Sequence, residues 1–368
     1  MDSEFMDYEE ELYQILGGSN TKSTLRIKPS RKYKKPLPPI YVSHNPLQSL
    51  DTTAIPYVTH LLSLSTSQVV AGFCTPADSF GLLAVTQSDL TILRFFPGHQ
   101  QGITDLKPTP TEQSHGITFW SCGKDGLVKY FDTRLEGKEA MVLRASPNPQ
   151  EIFLSLDISA SANMVAAGTE RRAEEASIVY WDPRNPSKPL YMHTSTHSED
   201  ITSLSFKPTL TDSNLILSGS SDGLVCISDS HQSDEDEACL HVANSGASIA
   251  RTGWMNLAEY NDAKSPRLDL VYDYGDVRSA STEAWETDYI ISSRWLGSKN
   301  SLGRGGLLTW CGDNRHNTHS WKKWKMEAVL EGAHTEIVRC VCWNDEHETS
   351  ARAHSPSPCK RDNILPSP

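Results

Sequence analysis

The sequence predicts an all-β fold assembled from repeated antiparallel units. The stretch His197 to Asp229 reads as three strands in succession. Ile201–Phe206 alternates apolar and polar residues, Leu215–Ser220 follows a polar loop, and Leu224–Ser228 follows Asp222-Gly223. Alternation with period two sends one set of side chains into a core and the other outward. Asp-Gly between two apolar runs signals a hairpin, expected as a two-residue turn with both positions at positive φ. The same phrase occurs 97 residues earlier: Asp125-Gly126 matches Asp222-Gly223, and Asp132 matches Asp229. Strand-ending acids also recur regularly, with Asp132, Asp182 and Asp229 spaced 50 and 47 residues apart.

A period in the forties, headed by His99 and His197 and closed by Phe131-Asp132 or Trp181-Asp182, resembles the WD40 repeat. The resemblance implies four-stranded blades of a β-propeller. A blade cannot bury both faces alone, so blades must stack in a ring.

In chain order, residues 1–50 read as a solvated arm. Six acids lie between Asp2 and Glu11, and seven Lys or Arg without an acid lie between Lys22 and Lys35. Such blocks cannot support a core; Arg31 to Lys35 also suits a nuclear-import or docking segment. Tyr57–Leu64, Phe80–Val85 and Leu90–Phe96 read as strands of a first blade that is one strand short. Blade two runs from His99 to about Arg144, and blade three takes Ile152–Asp157, Met164–Gly168 and Ile178–Asp182. Thr169–Ala176 is a charged hairpin loop. Blade four is the opening stretch, left through the acidic loop Ser233–Glu237. Ile249–Met255, Leu268–Tyr272, Tyr289–Trp295, Gly305–Trp310 and Met326–Leu330 follow as strands, and Ile337–Trp343 opens a new repeat after Gly332-Ala333-His334. Glu348–Pro368, rich in Ser, Pro and charge, reads as a disordered tail.

The order FLSLDISASANMVAAGTE, VYWDPR, THSEDITSLSFKP, LILSGSSDGLV, ASIARTGW and GAHTEIVRCVCWN resembles the family of WD repeat-containing protein 89 and its fungal relatives. The resemblance covers most of residues 57–345 and implies a seven-bladed propeller with no established enzymatic activity. Against that pattern, blade one lacks a strand, blade five lacks the hairpin after Trp254, and the final blade lacks everything after its first strand. The expected fold is therefore an all-β WD40 β-propeller, seven-bladed by resemblance, with blades one, five and seven incomplete and the ring open. Its expected divisions are an arm over 1–50, a propeller over 51–345 and a tail over 346–368.

Composition narrows the function. Lys and Arg number 34 against 46 Asp and Glu, a net charge of −12, which excludes a general nucleic-acid binder because phosphates need a basic field. Eight cysteines occur without a CxxC pair. Their apolar strand contexts indicate reduced core thiols and an intracellular protein, nuclear or cytoplasmic. Cys340-x-Cys342 could be half a metal site but has no zinc-spaced companion. No apolar run approaches the roughly 20 residues that span a bilayer. Walker A, dinucleotide-binding and HExxH patterns are missing, so neither cofactor nor metal is expected.

In WD40 blades, as the resemblance implies, a head His, a strand Ser or Thr, the hairpin Asp and a strand Trp form a buried hydrogen-bond network. Blade two offers His99, Ser121, Asp125 and Gly126, with Phe131 in place of Trp. Blade four offers His197, Ser220, Asp222 and Gly223, with Ser228 in place of Trp. His334 would head the last repeat. The same residue types mimic a catalytic triad, but that requires an exposed Ser beside an oxyanion hole, and no G-x-S-x-G elbow is present. Binding remains. Lys124, Arg171, Arg172, Glu199, Asp200 and Glu336 lie on turns expected at one rim, where charges on rigid loops suit recognition of a protein or peptide. The leading expectation is a non-catalytic interaction scaffold. A reader of basic or modified peptides such as histone tails, and a rim hydrolase, are the alternatives.

Overall fold

Consecutive strands joined by short turns must return antiparallel, and the described residues form six sheets built in this way. The computed structural model describes residues 57–254 except 66, 75–79, 87–89, 111–116, 136, 147–150 and 209–213, together with the backbones of the strands outside that span. Two short strands come first, β1 (Tyr41–Ser43) and β2 (Gln48–Ser49). Blade one is β3 (Tyr57–Ser63), β4 (Gln68–Cys74), β5 (Phe80–Thr86) and β6 (Ile92–Pro97). Blade two is β7 (Ile103–Pro108), β8 (Thr118–Gly123), β9 (Leu127–Asp132) and β10 (Glu139–Arg144). Blade three is β11 (Phe153–Ile158), β12 (Val165–Thr169), β13 (Ala176–Trp181) and β14 (Tyr191–His197). Blade four is β15 (Ile201–Phe206), β16 (Leu215–Ser220), β17 (Leu224–Asp229) and β18 (Cys239–Asn244), with the single-turn helix α1 (Glu235–Ala238) before its last strand. The penultimate blade holds β19 (Tyr289–Trp295), β20 (Leu307–Gly312), β21 (Thr318–Lys322) and β22 (Lys325–Leu330). The last holds β23 (Val338–Asn344), β24 (Thr349–His354) and β25 (Lys360–Asn363).

The N-terminal strands complete the last two sheets. β1 runs parallel to β22, pairing Tyr41 with Ala328, and β2 runs antiparallel to β25, pairing Gln48 with Arg361. The last blade thus draws strands from both ends of the chain, in the order β2-β25-β24-β23. β23 in turn lies against β3, where Cys340 packs on the blade-one cluster of Val58, Val69, Ala71, Leu83, Val85 and Leu90.

Several expectations are corrected here. Blade one is complete: Gln68–Cys74 is its second strand, pairing with both neighbours. Its sequence QVVAGFC is almost continuously apolar, because a central strand is covered on both faces and loses the alternation that marks a strand. The last blade does not stop after its first strand, and the first and last blades meet. β24 and β25 were hidden in polar sequence, TSARAH and KRDN, and β1 and β2 fall inside the segment expected to be an arm. Residues 249–254 do not form a strand. Leu268–Tyr272, the basic run Arg31 to Lys35, His334 and Glu336 lie outside the described residues.

The core sits between blades. Trp120, Cys122, Val128 and Leu143 of blade two pack against Phe153, Leu156, Val165, Val179 and Trp181 of blade three. Analogous layers join blade one to two through Phe96, Phe119 and Phe131, and blade three to four through Ile178, Ile201 and Ile216. Burial removes each such side chain from water for roughly 1.5–3 kcal/mol, so stacking dominates over any single polar bond.

A polar seam runs along the inner strands. Thr104 Oγ1 donates to Phe153 O at 2.7 Å, Ser155 Oγ to Ile201 O at 2.7 Å and Thr202 Oγ1 to Ile249 O at 2.6 Å. In the opposite sense, Leu156 N donates to Asp105 Oδ2 at 3.1 Å, Phe206 N to Asp157 Oδ2 at 2.6 Å and Thr252 N to Ser203 Oγ at 2.9 Å. The segment 249–254 therefore docks on blade four by the same bonds as a first strand, although it lacks a ladder of its own.

Candidate functional site: the hairpin rim and its buried networks

The rim hairpins of blades two and four are each set by a glycine, while in blade three Ala173 takes the left-handed position at φ of 58°. Gly126 N donates to Gly123 O at 3.2 Å and Gly223 N to Ser220 O at 3.1 Å, and the glycines adopt φ of 70° and 85°. This corrects the expected two-residue turn. Ser221 and Asp222 occupy the turn at ordinary φ and the glycine alone is left-handed, the arrangement of a three-residue hairpin loop. The asparate positions stay free to cap: Asp222 Oδ1 accepts from Leu224 N at 2.7 Å and Asp125 Oδ1 from Leu127 N at 3.3 Å.

The same carboxylates hold the head histidines. His99 Nδ1 lies 2.7 Å from Asp125 Oδ1, and Nε2 lies 2.8 Å from Ser121 Oγ. A carboxylate only accepts, so Nδ1 bears a proton, and in the neutral tautomer that this selects the Ser hydroxyl donates to Nε2. Asp125 Oδ2 also accepts from Gln100 N at 2.9 Å. Burial pushes the Asp125 carboxyl up, but the bonds from His99 and Gln100 outweigh it and leave it below its ordinary value. Gly123 permits the approach, since a Cβ there would come within 2.3 Å of the imidazole. Lys129, buried, fixes the same loop by donating to Gly98 O at 2.7 Å; nothing in its position within LVKYFD signalled that role.

Blade four repeats this network with one change from expectation. His197 Nδ1 lies 3.1 Å from Asp222 Oδ2, but its Nε2 lies 2.8 Å from Ser218, not Ser220. Ser218 stands four residues before Asp222, as Ser121 does before Asp125, so the repeat itself held the signal. Ser220, nearer the turn, donates to Glu199 O at 3.0 Å instead. Burial lowers the His197 imidazole below its ordinary value, against the opposing Asp222 carboxylate.

The strand-closing acids have a separate task. Asp132 accepts from Arg134 N at 2.9 Å and Asp182 from Arg184 N at 2.9 Å, and each also receives its arginine's guanidinium; Asp229 accepts from His231 N at 2.9 Å. The Arg134 and Arg184 bonds hold the first two carboxyls below the usual range. Trp181 is buried and donates to Arg144 O of the preceding blade at 3.2 Å, so it joins blades and takes no part in a His network. Phe131 fills the equivalent place in blade two, stacked on Phe119 with centroids 5.0 Å apart.

At the rim, Arg171 is bound to its neighbours. Its guanidinium pairs with Glu199 at 2.5 Å, and its N–H donates to Asp200 Oδ1 at 2.8 Å, tying the blade-three hairpin to the blade-four head loop. Arg172 bridges to Glu175 through backbone only, and Lys124 N donates to Gly102 O at 3.0 Å. Both side chains are exposed or nearly so. Among the described residues no group of three His, Cys, Asp or Glu could hold a metal ion, and no helix is long and apolar enough to cross a membrane.

A family model described as the WD domain, G-beta repeat, matches residues 90–132 and 188–229. The chain is 33% identical to an uncharacterized WD repeat-containing protein of Saccharomyces cerevisiae over 52% of its own length and 50% of that protein. It is 28% identical to the WD repeat-containing protein 89 homolog of Dictyostelium discoideum over 70% of each. A Schizosaccharomyces pombe protein, also an uncharacterized WD repeat-containing protein, is 33% identical over 43% of this chain and 47% of its own. The matches span about half the length of the two fungal relatives. Matched repeats and meandering four-stranded sheets agree: the chain carries WD40 repeats and builds the four-stranded antiparallel sheets of a β-propeller.

Proposed function

We propose that this protein is a non-catalytic scaffold that binds partner proteins or peptides through the hairpin rim. WD40-repeat proteins generally act as protein-interaction scaffolds. The reading rests on one observation: Lys124 and Arg172 hold their charges on ordered turns with no side-chain hydrogen bond or ion pair among the described residues, whereas Arg171 is spent on Glu199. Charge on a preorganised turn binds with little ordering cost. The hydrolase alternative is disfavoured because Ser121 and Ser218 are 0% and 1% exposed, out of reach of a substrate. The basic-peptide alternative gains little from the inner strands, where Lys107 lies 4.0 Å from Asp105 and 3.9 Å from Asp157 and offsets their charge.

The test is affinity capture from a lysate with the wild-type chain and with Lys124→Glu/Arg172→Glu. Loss of specific partners at an unchanged melting temperature supports rim binding. Retention of every partner by the variant overturns it.

A further inference from the structure

The loop 230–238, which joins β17 to β18 inside blade four and does not lead out of it as expected, is fastened to blade three by a device that the networks above do not explain. Between Ile178↔His193 and Ala176↔His197 the pairing of β13 with β14 slips, so Thr194, Ser195 and Thr196 face a single residue, Ser177. Such a bulge leaves backbone donors without a ladder partner. The Glu235 carboxylate takes them: Thr194 N donates to Oε2 at 2.8 Å, and Ser195 N and Thr196 Oγ1 donate to Oε1 at 2.8 and 2.5 Å. Burial pushes this carboxyl up, but the three donors outweigh it and leave it below its ordinary value.

Beneath Glu235 the same loop meets His193. Its Nε2 donates to Gln232 O at 3.1 Å, and Tyr191 donates to Ser230 O. The rings of Tyr180, Tyr191 and His193 pack with centroids 4.9 to 5.4 Å apart, Tyr191 stacked on His193 and Tyr180 edge-on to it. In this seam three buried atoms have no hydrogen-bond partner: Tyr180 Oη, His193 Nδ1 and Ser230 Oγ. Unsatisfied buried polar atoms cost free energy, so the closed loop is held against a standing penalty. His193 is 1% exposed. When it takes up a proton, Nδ1 becomes a charged donor with no acceptor.

We propose that residues 230–238 form an acid-released latch, shut by Glu235 in the β14 bulge and opened by protonation of His193. The charged and titratable groups facing His193 are Tyr191 on its own strand, Tyr180 on β13, and Asp234 and Glu235 at the start of α1; Asp229 and His197 lie further along the seam. Burial lowers the His193 imidazole below its ordinary value despite the attraction of Glu235. The closed latch is therefore favoured above the ordinary imidazole pKa of about 6.5 and weakens as pH falls below it. His197 is not the trigger, because Asp222 and Ser218 already satisfy both of its nitrogens. Opening would free the three donors of the bulge for an external carboxylate or phosphate and release the acidic turn Asp234–Glu237.

The test is amide hydrogen exchange of the 231–238 peptide in the full chain, wild type against His193→Gln, at pH 7.5 and 5.5. Gln retains an N–H donor and does not titrate. Matched rates at pH 7.5 with wild type several-fold faster at pH 5.5 are expected; matched rates at both pH values overturn the latch. Should the variant fail to fold, wild-type protection of 231–238 corrected for intrinsic exchange must fall at pH 5.5 relative to that of β13. Unchanged relative protection overturns it equally.

Discussion

Asp157 Oδ2 accepts the backbone N–H of Phe206 at 2.6 Å, so a carboxylate on the inner strand of blade three holds the inner strand of blade four. Burial raises the Asp157 carboxyl above its ordinary value even though Lys107 opposes the shift. Its neighbours must therefore supply what water no longer does. Asp157→Ala would strand the Phe206 amide and leave the Lys107 ammonium with Asp105 alone. A loss of about 1–3 kcal/mol is expected from leaving a buried donor unpaired. Equilibrium urea unfolding measures it; an unchanged midpoint would show that water replaces the carboxylate and that the seam contributes no stability.

The glycine of the blade-four hairpin has φ of 85°, and a Cβ added there would approach Ala247 O to 3.2 Å. Gly223→Val forces a β-branched residue into the left-handed region at a cost of about 1–3 kcal/mol. A thermal melt checks this: an unchanged melting temperature would mean that the turn relaxes to another conformation.

The two serines near His197 should behave differently. Ser218→Ala removes the hydroxyl on buried His197 Nε2 and should cost about 1–3 kcal/mol, whereas Ser220, equally buried, bonds Glu199 O and Asp222 N, backbone groups of partly exposed loop residues, and Ser220→Ala should cost less. Because burial depresses the His197 imidazole, its contribution to stability is present above about pH 6.5 and is lost as pH falls below that value. Denaturation midpoints at pH 7.5 and 5.5 for both variants decide the matter. Equal losses would mean that the two positions are interchangeable.

Much of this was legible in the sequence. The recurrence of Asp-Gly, the spacing of Asp132, Asp182 and Asp229 and the alternation within β15 to β17 located blades two to four. What escaped had physical reasons. Gln68–Cys74 is covered on both faces and so has no alternating pattern. β24 and β25 are polar, so nothing apolar marked them, and β1 and β2 are too short for any periodicity. Ser218 lost to Ser220 because both point to the same side of β16; the four-residue spacing before the turn acid, shared with Ser121 and Asp125, is what separates them. Asp105 and Asp157 interrupt apolar strands, and an acid in such a place must find a partner; that partner, a backbone N–H one blade away, depends on how blades stack.

The last blade meets the first where β23 is seated against β3, and β2 completes that last blade. Removing residues 333–368 would bare the blade-one layer of Val58, Val69, Ala71, Leu83, Val85 and Leu90, an apolar surface that soluble chains keep covered. The direct measurement is a thermal melt with light scattering of that truncated chain beside the full chain. A melting temperature lower by several degrees, with self-association, is expected. A truncated chain that stays monomeric and melts cooperatively at the full-length temperature would contradict closure between the first and last blades.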